Sequence, residues 1–283
     1  MSTEVLAAKL DCFLAKNSNR LIALVTSGGT RVPLEKNTVR YIDNFSLGTR
    51  GSASTEYFLE KGYAVIFFHR DESLKPFCRK FPHIFDHLKV GSDGSVSVTG
   101  YDKLAETLKK QEESADRLLY IPFVDLHQYL HDLEHICQKL NAFGPRALIY
   151  LAAAVSDFYI SQVPTHKIQS AEGDLQLTLT IVPKTLKRLV HSVIPQAYVV
   201  SFKLETDDSI LIRKAKGAIE NYGHQLVIGN ILTTRKYKVV FVSTDTVTPM
   251  ELTPEQISCG TEIEQLIIDQ LEQKHAEFRK ATE

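Results

Sequence analysis

The sequence lacks tryptophan and is poor in cysteine, and both facts narrow the class of protein. Its four cysteines lie far apart, and no two of them form a C-x-x-C pair. Cysteines spaced in this way are typical of reduced thiols, so we predict neither a disulfide framework nor a thiolate zinc site. Cys137 lies on the apolar stripe of a predicted helix, where we expect a small buried side chain rather than a catalytic thiol.

An excess of charge of either sign is also missing. The 33 basic and 34 acidic residues give a formal net charge of −1. This balance favours neither a nucleic-acid surface nor a membrane surface, so we expect no nucleic acid and no membrane among the partners. No apolar run approaches the roughly 18 residues of a membrane span, and no charged leader precedes an apolar stretch. We therefore expect a cytoplasmic protein.

The apolar segments that are present alternate with segments of helical spacing. Short unbroken apolar runs of this kind are typical of strands buried on both faces of a parallel sheet, and they lie at residues 21–25, 64–68, 118–123, 146–155 and 197–203. The alternation predicts an α/β fold with a doubly wound, mostly parallel, Rossmann-like sheet. A length of 283 residues suits one large domain, and we expect a single domain over residues 1–283.

Two further segments carry specific expectations. Residues 175–182 alternate apolar and polar side chains, which predicts an added strand at a sheet edge, in a hairpin or across a subunit interface. Residues 183–193 predict a helix with Lys184, Lys187 and Arg188 in its first turns, and residues 257–280 predict one long C-terminal helix.

Three histidines on one predicted helix suggest a metal site at first sight. His127, His131 and His135 are spaced four residues apart within residues 124–142. Helical geometry sets them opposite the leucine stripe of that helix, so we expect them to face solvent. No cysteine or carboxylate accompanies them on that face, and we predict no protein-held metal ion there.

Two glycine-bearing turns lie within residues 21–62. Ser27-Gly28-Gly29-Thr30 follows the first predicted strand, and its hydroxyls and missing Cβ atoms suit a backbone turned towards a phosphate. The second turn, Asn44-Phe-Ser-Leu-Gly-Thr-Arg-Gly51, leads into a predicted helix at residues 52–61. The pattern differs from the common dinucleotide fingerprint because no G-x-G-x-x-G follows the first strand.

The combined string over residues 21–62 closely resembles the nucleotide-binding stretch of the phosphopantothenate–cysteine ligase family. Three later strings resemble the same family: Ala-Ala-Ala-Val-Ser-Asp-Phe at residues 152–158 with His166-Lys167-Ile168, the segment around Phe202, and Gly229-Asn230. The resemblance spans residues 21–240 and depends on these separated strings in one order.

The resemblance implies roles for individual residues. The residues that would border the nucleotide are Gly28, Ser46, Gly48, Gly51, Phe202 and Asn230. Those that would hold phosphopantothenate are Asn44, Ala153, Ala154 and Asp157, with Arg40 reaching its phosphate from the second subunit of a dimer. Asn44 would also orient the acyl carbonyl, while Lys167 and Lys203 are candidates to stabilise charge on the activated acyl phosphate.

The implied reaction joins the carboxylate of 4′-phosphopantothenate to the amine of L-cysteine. A carboxylate does not react with an amine at neutral pH, so the family first attaches it to the α-phosphate of a nucleotide. The single-domain layout is similar to the eukaryotic type, which implies ATP and Mg²⁺, an acyl-adenylate, and AMP and pyrophosphate as products. The resemblance also implies a homodimer.

Two other functions stay open at this stage. A Rossmann-type NAD(P)-dependent oxidoreductase is suggested by the fold and by Tyr57 and Lys61, which have Y-x-x-x-K spacing, although on the first predicted helix. A non-catalytic nucleotide-sensing module would use the same turns without group transfer. Arg40, Asn44, Asp157 and Lys167 favour an enzyme over the sensing module.

Overall fold

The computed structural model describes residues 2–170, 173–183 and 185–282, which form an α/β structure. Its strands are β1 Ile22–Ser27, β2 Arg31–Pro33, β3 Tyr41–Asp43, β4 Ala64–Arg70, β5 Leu88–Val90, β6 Val96–Val98, β7 Leu118–Phe123, β8 Ala147–Leu151, β9 Phe158–Tyr159, β10 Thr180–Ile181, β11 Tyr198–Glu205, β12 Leu226–Ile231, β13 Lys238–Val242 and β14 Val247–Glu251. Its α-helices are α1 Thr3–Lys16, α2 Thr49–Glu60, α3 Leu104–Glu113, α4 Leu126–Leu140, α5 Thr185–Arg188, α6 Asp208–Tyr222, α7 Pro254–Ser258 and α8 Ile263–Thr282.

An eight-stranded sheet forms the centre of the fold, with the strand order β14-β13-β12-β11-β8-β1-β4-β7. Six neighbouring strands of this sheet run parallel to one another, namely β12, β11, β8, β1, β4 and β7. The last two strands, β13 and β14, are antiparallel to their neighbours. The chain proceeds from β1 through β4 to β7 and then returns to β8 on the other side of β1. The strand order therefore reverses between β1 and β8, and such a reversal opens a crevice at the carboxyl ends of the strands.

Helices cover both faces of this sheet. One face packs against α1, α4 and the segment 189–194, with Ile22 and Leu24 of β1 in its core. The other face packs against α2 and α8, and here Ala23 and Val25 of β1 are buried. Because successive side chains of a strand point to opposite faces, an unbroken apolar strand is required where both faces are covered. The doubly wound, mostly parallel sheet is confirmed.

The ends of several helices follow from local sequence. Asp207 caps α6 by accepting a hydrogen bond from the backbone N–H of Ser209, and Gly223 ends the same helix at a φ of 70°. An aspartate at the N-cap satisfies an otherwise unpaired amide, and glycine adopts the left-handed conformation without steric cost. Residues at its own two ends therefore account for where α6 begins and ends.

Two expectations about the second half of the chain can be compared with the structure. The alternating segment 175–182 does provide an added strand outside the central sheet, β10, which pairs antiparallel with β9, but this strand has only two residues. The single helix predicted at 257–280 is two helices, α7 and α8, separated at Gly260, whose φ of 74° ends the first one. Of the three cations predicted in the first turns of a helix, Lys184 lies outside the described residues.

Candidate active site

The chain at the carboxyl ends of β1 and β8, residues 26–30 and 152–156, forms the floor of the crevice between these two strands. Beyond the strands, Gly29 and Ala154 form an isolated parallel bridge. The Thr30 amide donates to the Ala154 carbonyl at 3.0 Å, and the Ala154 amide donates to the Gly28 carbonyl at 2.8 Å. These backbone bonds continue the sheet past its regular end. They bring the first glycine turn beside the small residues that follow β8.

Three buried hydroxyls fasten this floor to its surroundings. Thr26 accepts from the Ala153 amide at 3.1 Å, and Thr30 accepts from the Ser156 amide at 2.9 Å. Ser27 donates to the Gly48 carbonyl at 3.0 Å and so joins the two glycine turns. All three hydroxyl side chains are fully buried. Internal contacts therefore occupy the hydroxyls of Ser27 and Thr30, and the expectation that the backbone of this turn faces a phosphate stays a prediction.

Glycine is required where the two turns approach the floor. A Cβ on Gly29 would lie 1.6 Å from the backbone oxygen of Asn44, and one on Gly51 would lie 2.5 Å from the Ser27 hydroxyl. Neither position could hold a larger residue without moving the backbone. The close approach places Asn44 directly over the floor, because the backbone N–H of Asn44 also donates to the Thr30 carbonyl at 3.1 Å.

The amino end of α2 offers anion-binding geometry. Gly48 is its N-cap in a left-handed conformation, and no side chain caps the helix. The Gly48 amide donates to the Ser46 hydroxyl at 3.3 Å. The first amides of a helix have no partner within the helix, and together with the helix dipole they favour a bound anion.

Phe202 and Asn230 lie on the adjacent strands β11 and β12. The Phe202 ring packs edge-on against the buried Tyr150 ring, with centroids 4.9 Å apart. The side-chain amide of Asn230 donates to the Lys203 carbonyl at 2.9 Å. Phe202 is half-buried and Asn230 is buried, so part of the Phe202 side chain remains accessible near an amide that is fixed by its hydrogen bond.

Arg40 lies on a hairpin formed by β2 and β3 above the floor. Its guanidinium pairs with the fully buried carboxylate of Glu35 at 2.8 Å, and 41% of the arginine side chain stays exposed. Burial raises the pKa of Glu35, but hydrogen bonds from the Arg40 and Val39 backbone amides and from the guanidinium outweigh it, so the pKa is lowered overall. The pair is therefore charged at neutral pH.

Lys167 and Asp157 lie in the segment that follows β8. The Lys36 and Asn37 amides donate to the carbonyls of Pro164 and Thr165, which joins this segment to the Arg40 hairpin. Asp157 and Lys167 are both exposed. Lys203, the third candidate cation, lies at the end of β11 with its ammonium 3.5 Å from the Glu205 carboxylate.

The structure thus groups the expected residues unevenly. Gly28, Gly48, Gly51, Ala153 and Ala154 belong to the floor and its contacts, whereas Arg40, Asp157 and Lys167 lie on exposed segments around it. One residue near the site was missed: Arg50, whose guanidinium contacts the Glu264 carboxylate at 2.8 Å. Arg50 falls inside the second glycine turn, where the sequence offered a signal, whereas nothing local distinguishes Glu264.

The Y-x-x-x-K pair has a structural use. The Tyr57 hydroxyl donates to Glu262 at 3.1 Å, and the Lys61 ammonium lies 2.7 Å from Asp269 and 2.9 Å from Glu272. These contacts attach α2 to α8 on the covered face of the sheet. Burial and the Glu262 carboxylate raise the pKa of Tyr57, which is the wrong direction for a tyrosine that exchanges protons with substrate.

The part of the chain that the structure describes contains neither a cluster of metal-binding side chains nor a helix that could span a membrane. There, no three histidine, cysteine, aspartate or glutamate side chains come together as a metal-binding group. His127 and His131 are exposed, and His131 pairs with Asp132 at 2.9 Å. Among the described residues, no helix has the length and apolar character needed to cross a bilayer.

A doubly wound sheet with glycine turns and small residues at its switch point defines the class of open α/β proteins that bind ligands at the carboxyl ends of their strands. The family model of the DNA/pantothenate metabolism flavoprotein C-terminal domain matches residues 132–268. The human phosphopantothenate–cysteine ligase is 44% identical over 272 residues, covering 92% of this chain and 88% of that protein. The Saccharomyces cerevisiae ligase CAB2 is 47% identical over 249 residues, covering 78% and 68%.

A solved structure agrees with these relatives. The structure of a Cab2 mutant in complex with phosphopantothenate-cysteine has a TM-score of 0.89 and 41% identity, and it covers 99% of this chain and 94% of that one. The chain belongs to the phosphopantothenate–cysteine ligase family and is an amide-forming enzyme of coenzyme A biosynthesis.

Proposed function

We propose that the protein condenses 4′-phosphopantothenate with L-cysteine in an ATP-dependent reaction that passes through an acyl-adenylate and releases AMP and pyrophosphate. The observation that carries this proposal is the convergence at one crevice of two sets of residues. The nucleotide set adjoins the amino end of α2 and the ends of β11 and β12, and the phosphopantothenate set adjoins the end of β8. The carboxylate and the α-phosphate must meet for the first step, and a shared crevice allows it.

The first step forms a bond between a carboxylate oxygen and the α-phosphorus and breaks the bond to the leaving pyrophosphate. The cysteine amine then attacks the acyl carbon, AMP leaves with the former bond electrons, and the amine loses a proton. In this scheme Asn44 donates to the acyl oxygen, while Lys167 and Lys203 stabilise negative charge on the phosphate. The exposure of Lys167 leaves its ammonium able to move towards bound substrate.

Phosphate binding in this scheme uses the amino end of α2. The uncapped amides of α2, adjoining Ser46, Gly48 and Gly51, suit the nucleotide phosphates. Phe202 and Asn230 suit the remainder of the nucleotide, the ring by stacking and the amide by hydrogen bonds. Gly28 lies beneath both sets, and a Cβ there would reach Arg70 at 2.7 Å.

Mg²⁺ fits this site as a companion of the nucleotide. It commonly binds through substrate phosphates, waters and one or two carboxylates rather than through a full protein cage. Asp157 is exposed beside the crevice and could supply such a carboxylate. Bound there, the ion would neutralise charge on the phosphates.

We further propose that residues 1–283 act as one ligase domain in a cytoplasmic homodimer, with Arg40 reaching the phosphopantothenate of the partner subunit. Exposed apolar side chains lie on the segments around the site, including Phe45 at 80% and Ile181 at 69% exposure. Large exposed apolar side chains in one region favour a protein interface. The accessible part of Arg40 leaves its guanidinium able to serve a neighbouring site.

Mixing two inactive variants tests the shared site. Arg40→Ala and Asp157→Ala should each be nearly inactive alone. In a mixed dimer, one of the two sites then receives an intact Arg40 and an intact Asp157, so an equal mixture regains about a quarter of wild-type activity, as two-fold symmetry requires. Turnover by the refolded mixture is the measurement. Activity no higher than the sum of the separate variants would contradict a site built from two subunits.

The reaction itself is tested by mass spectrometry with phosphopantothenate, Mg²⁺ and either ATP or CTP, with and without cysteine. We expect phosphopantothenoylcysteine, AMP and pyrophosphate with ATP. Product with CTP alone would overturn the nucleotide assignment, and ADP with phosphate would overturn the acyl-adenylate. Nucleotide binding without turnover under any condition would favour the sensing module instead.

A further inference from the structure

Arg50 connects four separate parts of the chain beside the expected nucleotide site. It is the second residue of α2, and its side chain is only 15% exposed. One terminal nitrogen lies 2.8 Å from the Glu264 carboxylate of α8. The other lies 2.6 Å from the Arg235 carbonyl and 3.5 Å from the side-chain oxygen of Asn230. The guanidinium carbon is 6.0 Å from the centre of the Phe202 ring.

These contacts determine which way the Asn230 amide faces. Its nitrogen must be the atom beside the Lys203 carbonyl, because a carbonyl only accepts. Its oxygen must be the atom beside Arg50, because a guanidinium only donates. Both neighbours require the same orientation. The amide keeps one N–H and one acceptor site for further partners, in a fixed order.

Glu264 holds Arg50 in this position. Its side chain is 11% exposed. Burial raises the pKa of Glu264, and the Arg50 charge opposes that rise. A buried carboxylate and a buried arginine each lose hydration, so each strongly prefers the other as a partner. The ion pair therefore fixes the guanidinium while its second nitrogen remains directed at Asn230 and the 232–237 loop.

A second buried pair nearby shows what a merely structural arginine would do. Arg79 is 6% exposed and binds Glu56 of α2 at 2.7 Å and Glu262, just before α8, at 2.6 Å. It joins the same two helices as Arg50. No contact of Arg79 reaches β11, β12 or the 232–237 loop within the described residues. Arg79 is thus a matched control for burial, charge and location.

We propose that Arg50, held by Glu264, is a positioning residue for the nucleotide, because it sets the orientation of the Asn230 amide and fixes the 232–237 loop beside Phe202. This inference depends on the proposed function, which assigns the nucleotide to Phe202 and Asn230. A lysine at position 50 would keep a charge for Glu264. Its single nitrogen could not also reach Asn230 and the Arg235 carbonyl as a forked guanidinium does.

The test compares Arg50→Lys with Arg79→Lys in the full-length protein. Equilibrium dialysis with ATP and steady-state kinetics are measured for both, together with melting temperature. We expect Arg50→Lys to raise the ATP dissociation constant and KM about tenfold, as the loss of one charge-assisted hydrogen bond does. Its KM values for phosphopantothenate and cysteine should not change. Arg79→Lys should lower the melting temperature without changing ATP affinity.

Two more variants separate this inference from the proposed function. Glu264→Gln keeps an acceptor for Arg50 but removes its charge, so we expect a smaller loss of ATP affinity in the same direction even if Arg50→Lys folds poorly. Phe202→Ala tests the nucleotide site itself. If Phe202→Ala weakens ATP binding while Arg50→Lys and Glu264→Gln match Arg79→Lys, the positioning role is overturned and the site stands. If no variant changes ATP affinity, both are overturned.

Discussion

The floor of the site and the two segments around it are held together by different means. The floor comprises the ends of β1 and β8 at residues 26–30 and 152–156, and backbone bonds and buried hydroxyls join it. The first arm is residues 31–47, and the second arm is the described part of residues 157–182. The arms expose large apolar side chains, and the first arm depends on ion pairs such as Arg40–Glu35 and Asp43–Arg70.

This difference separates what is preorganised from what can adapt. Backbone bonds between parallel strands leave few alternatives, so the floor presents the same geometry with or without substrate. The arms, by contrast, leave large apolar side chains such as Phe45 and Ile181 exposed to solvent, so fewer internal contacts hold them. Three of the residues expected to contact the reacting groups, Asn44, Asp157 and Lys167, lie on the arms, whereas Lys203 lies on β11. We infer that substrate contacts are completed by the arms on a floor that is already formed.

Gly29→Ala should have the largest effect on activity and stability, because it disrupts the contact between the floor and the first arm. The added Cβ would lie 1.6 Å from the Asn44 oxygen, so the first arm must move away. Overpacking of this kind costs about 3 kcal/mol of stability. We expect loss of detectable ligase activity in the turnover assay and a lower unfolding midpoint in urea.

Gly217→Ala is the control for that substitution. Gly217 lies within α6, and a Cβ there meets no atom within 4 Å. Alanine is the better helix former by about 1 kcal/mol, so this variant should be slightly more stable and fully active. If Gly29→Ala behaved like Gly217→Ala, the close contact between floor and arm would be refuted.

Lowering the pH should reduce the free energy of unfolding through two buried histidines, His224 and His275, before it breaks the Arg40–Glu35 ion pair of the first arm. Burial lowers the pKa of His224 and of His275 to about 4. The unfolded chain binds these protons at a pKa of about 6.5, so stability is present above that pH and is lost between pH 6.5 and 4, by about 3 kcal/mol for each histidine. The lowered pKa of Glu35 keeps its pair with Arg40 charged through most of this interval.

Urea unfolding at pH 7 and pH 5 measures this loss. Because burial lowers the pKa of His275 to about 4, its imidazole is neutral at pH 7; Nε2 then donates to the Pro145 carbonyl and Nδ1 accepts from the Tyr63 hydroxyl, both at 2.8 Å. His275→Gln removes the titrating group and should reduce the difference in unfolding free energy between the two pH values. An unchanged difference in this variant and in His224→Gln would contradict the assignment.

Asn44→Ala should have the smallest effect on the fold, since it changes the arm alone. Among the described residues only the Asn44 backbone makes hydrogen bonds, and its side chain is half-buried. Stability should change by about 0.5 kcal/mol or less. Loss of a donor to the acyl oxygen should lower kcat about a hundredfold.

Asn37→Ala provides the comparison on the same arm. Asn37 is exposed, and its backbone amide binds the Thr165 carbonyl, a contact that alanine keeps. We expect wild-type kcat for this variant. Equal losses of kcat in the Asn37 and Asn44 variants would mean that the arm tolerates no change, and the specific role of the Asn44 amide would be refuted.

The sequence by itself determined the features that depend on residues close to one another along the chain. Unbroken apolar runs define strands because both faces of the sheet are covered, and Asp207 and Gly223 define the ends of α6 through their own side-chain chemistry. The resemblance carried by the strings between residues 21 and 240 was enough to indicate the family. The alternating pattern at 175–182 indicated a strand outside the central sheet, but only Thr180 and Ile181 of it pair with another strand, β9.

Tertiary structure alone decided how distant residues are used. Local sequence did not show that the Ser27 hydroxyl donates to the Gly48 carbonyl or that the Thr30 hydroxyl accepts from the Ser156 amide. Arg50 and Glu264 are 214 residues apart and acquire a common role only when α2 and α8 pack on one face of the sheet. Local sequence cannot report such pairs, because the cost of burying either charge is offset only by a partner that folding brings close.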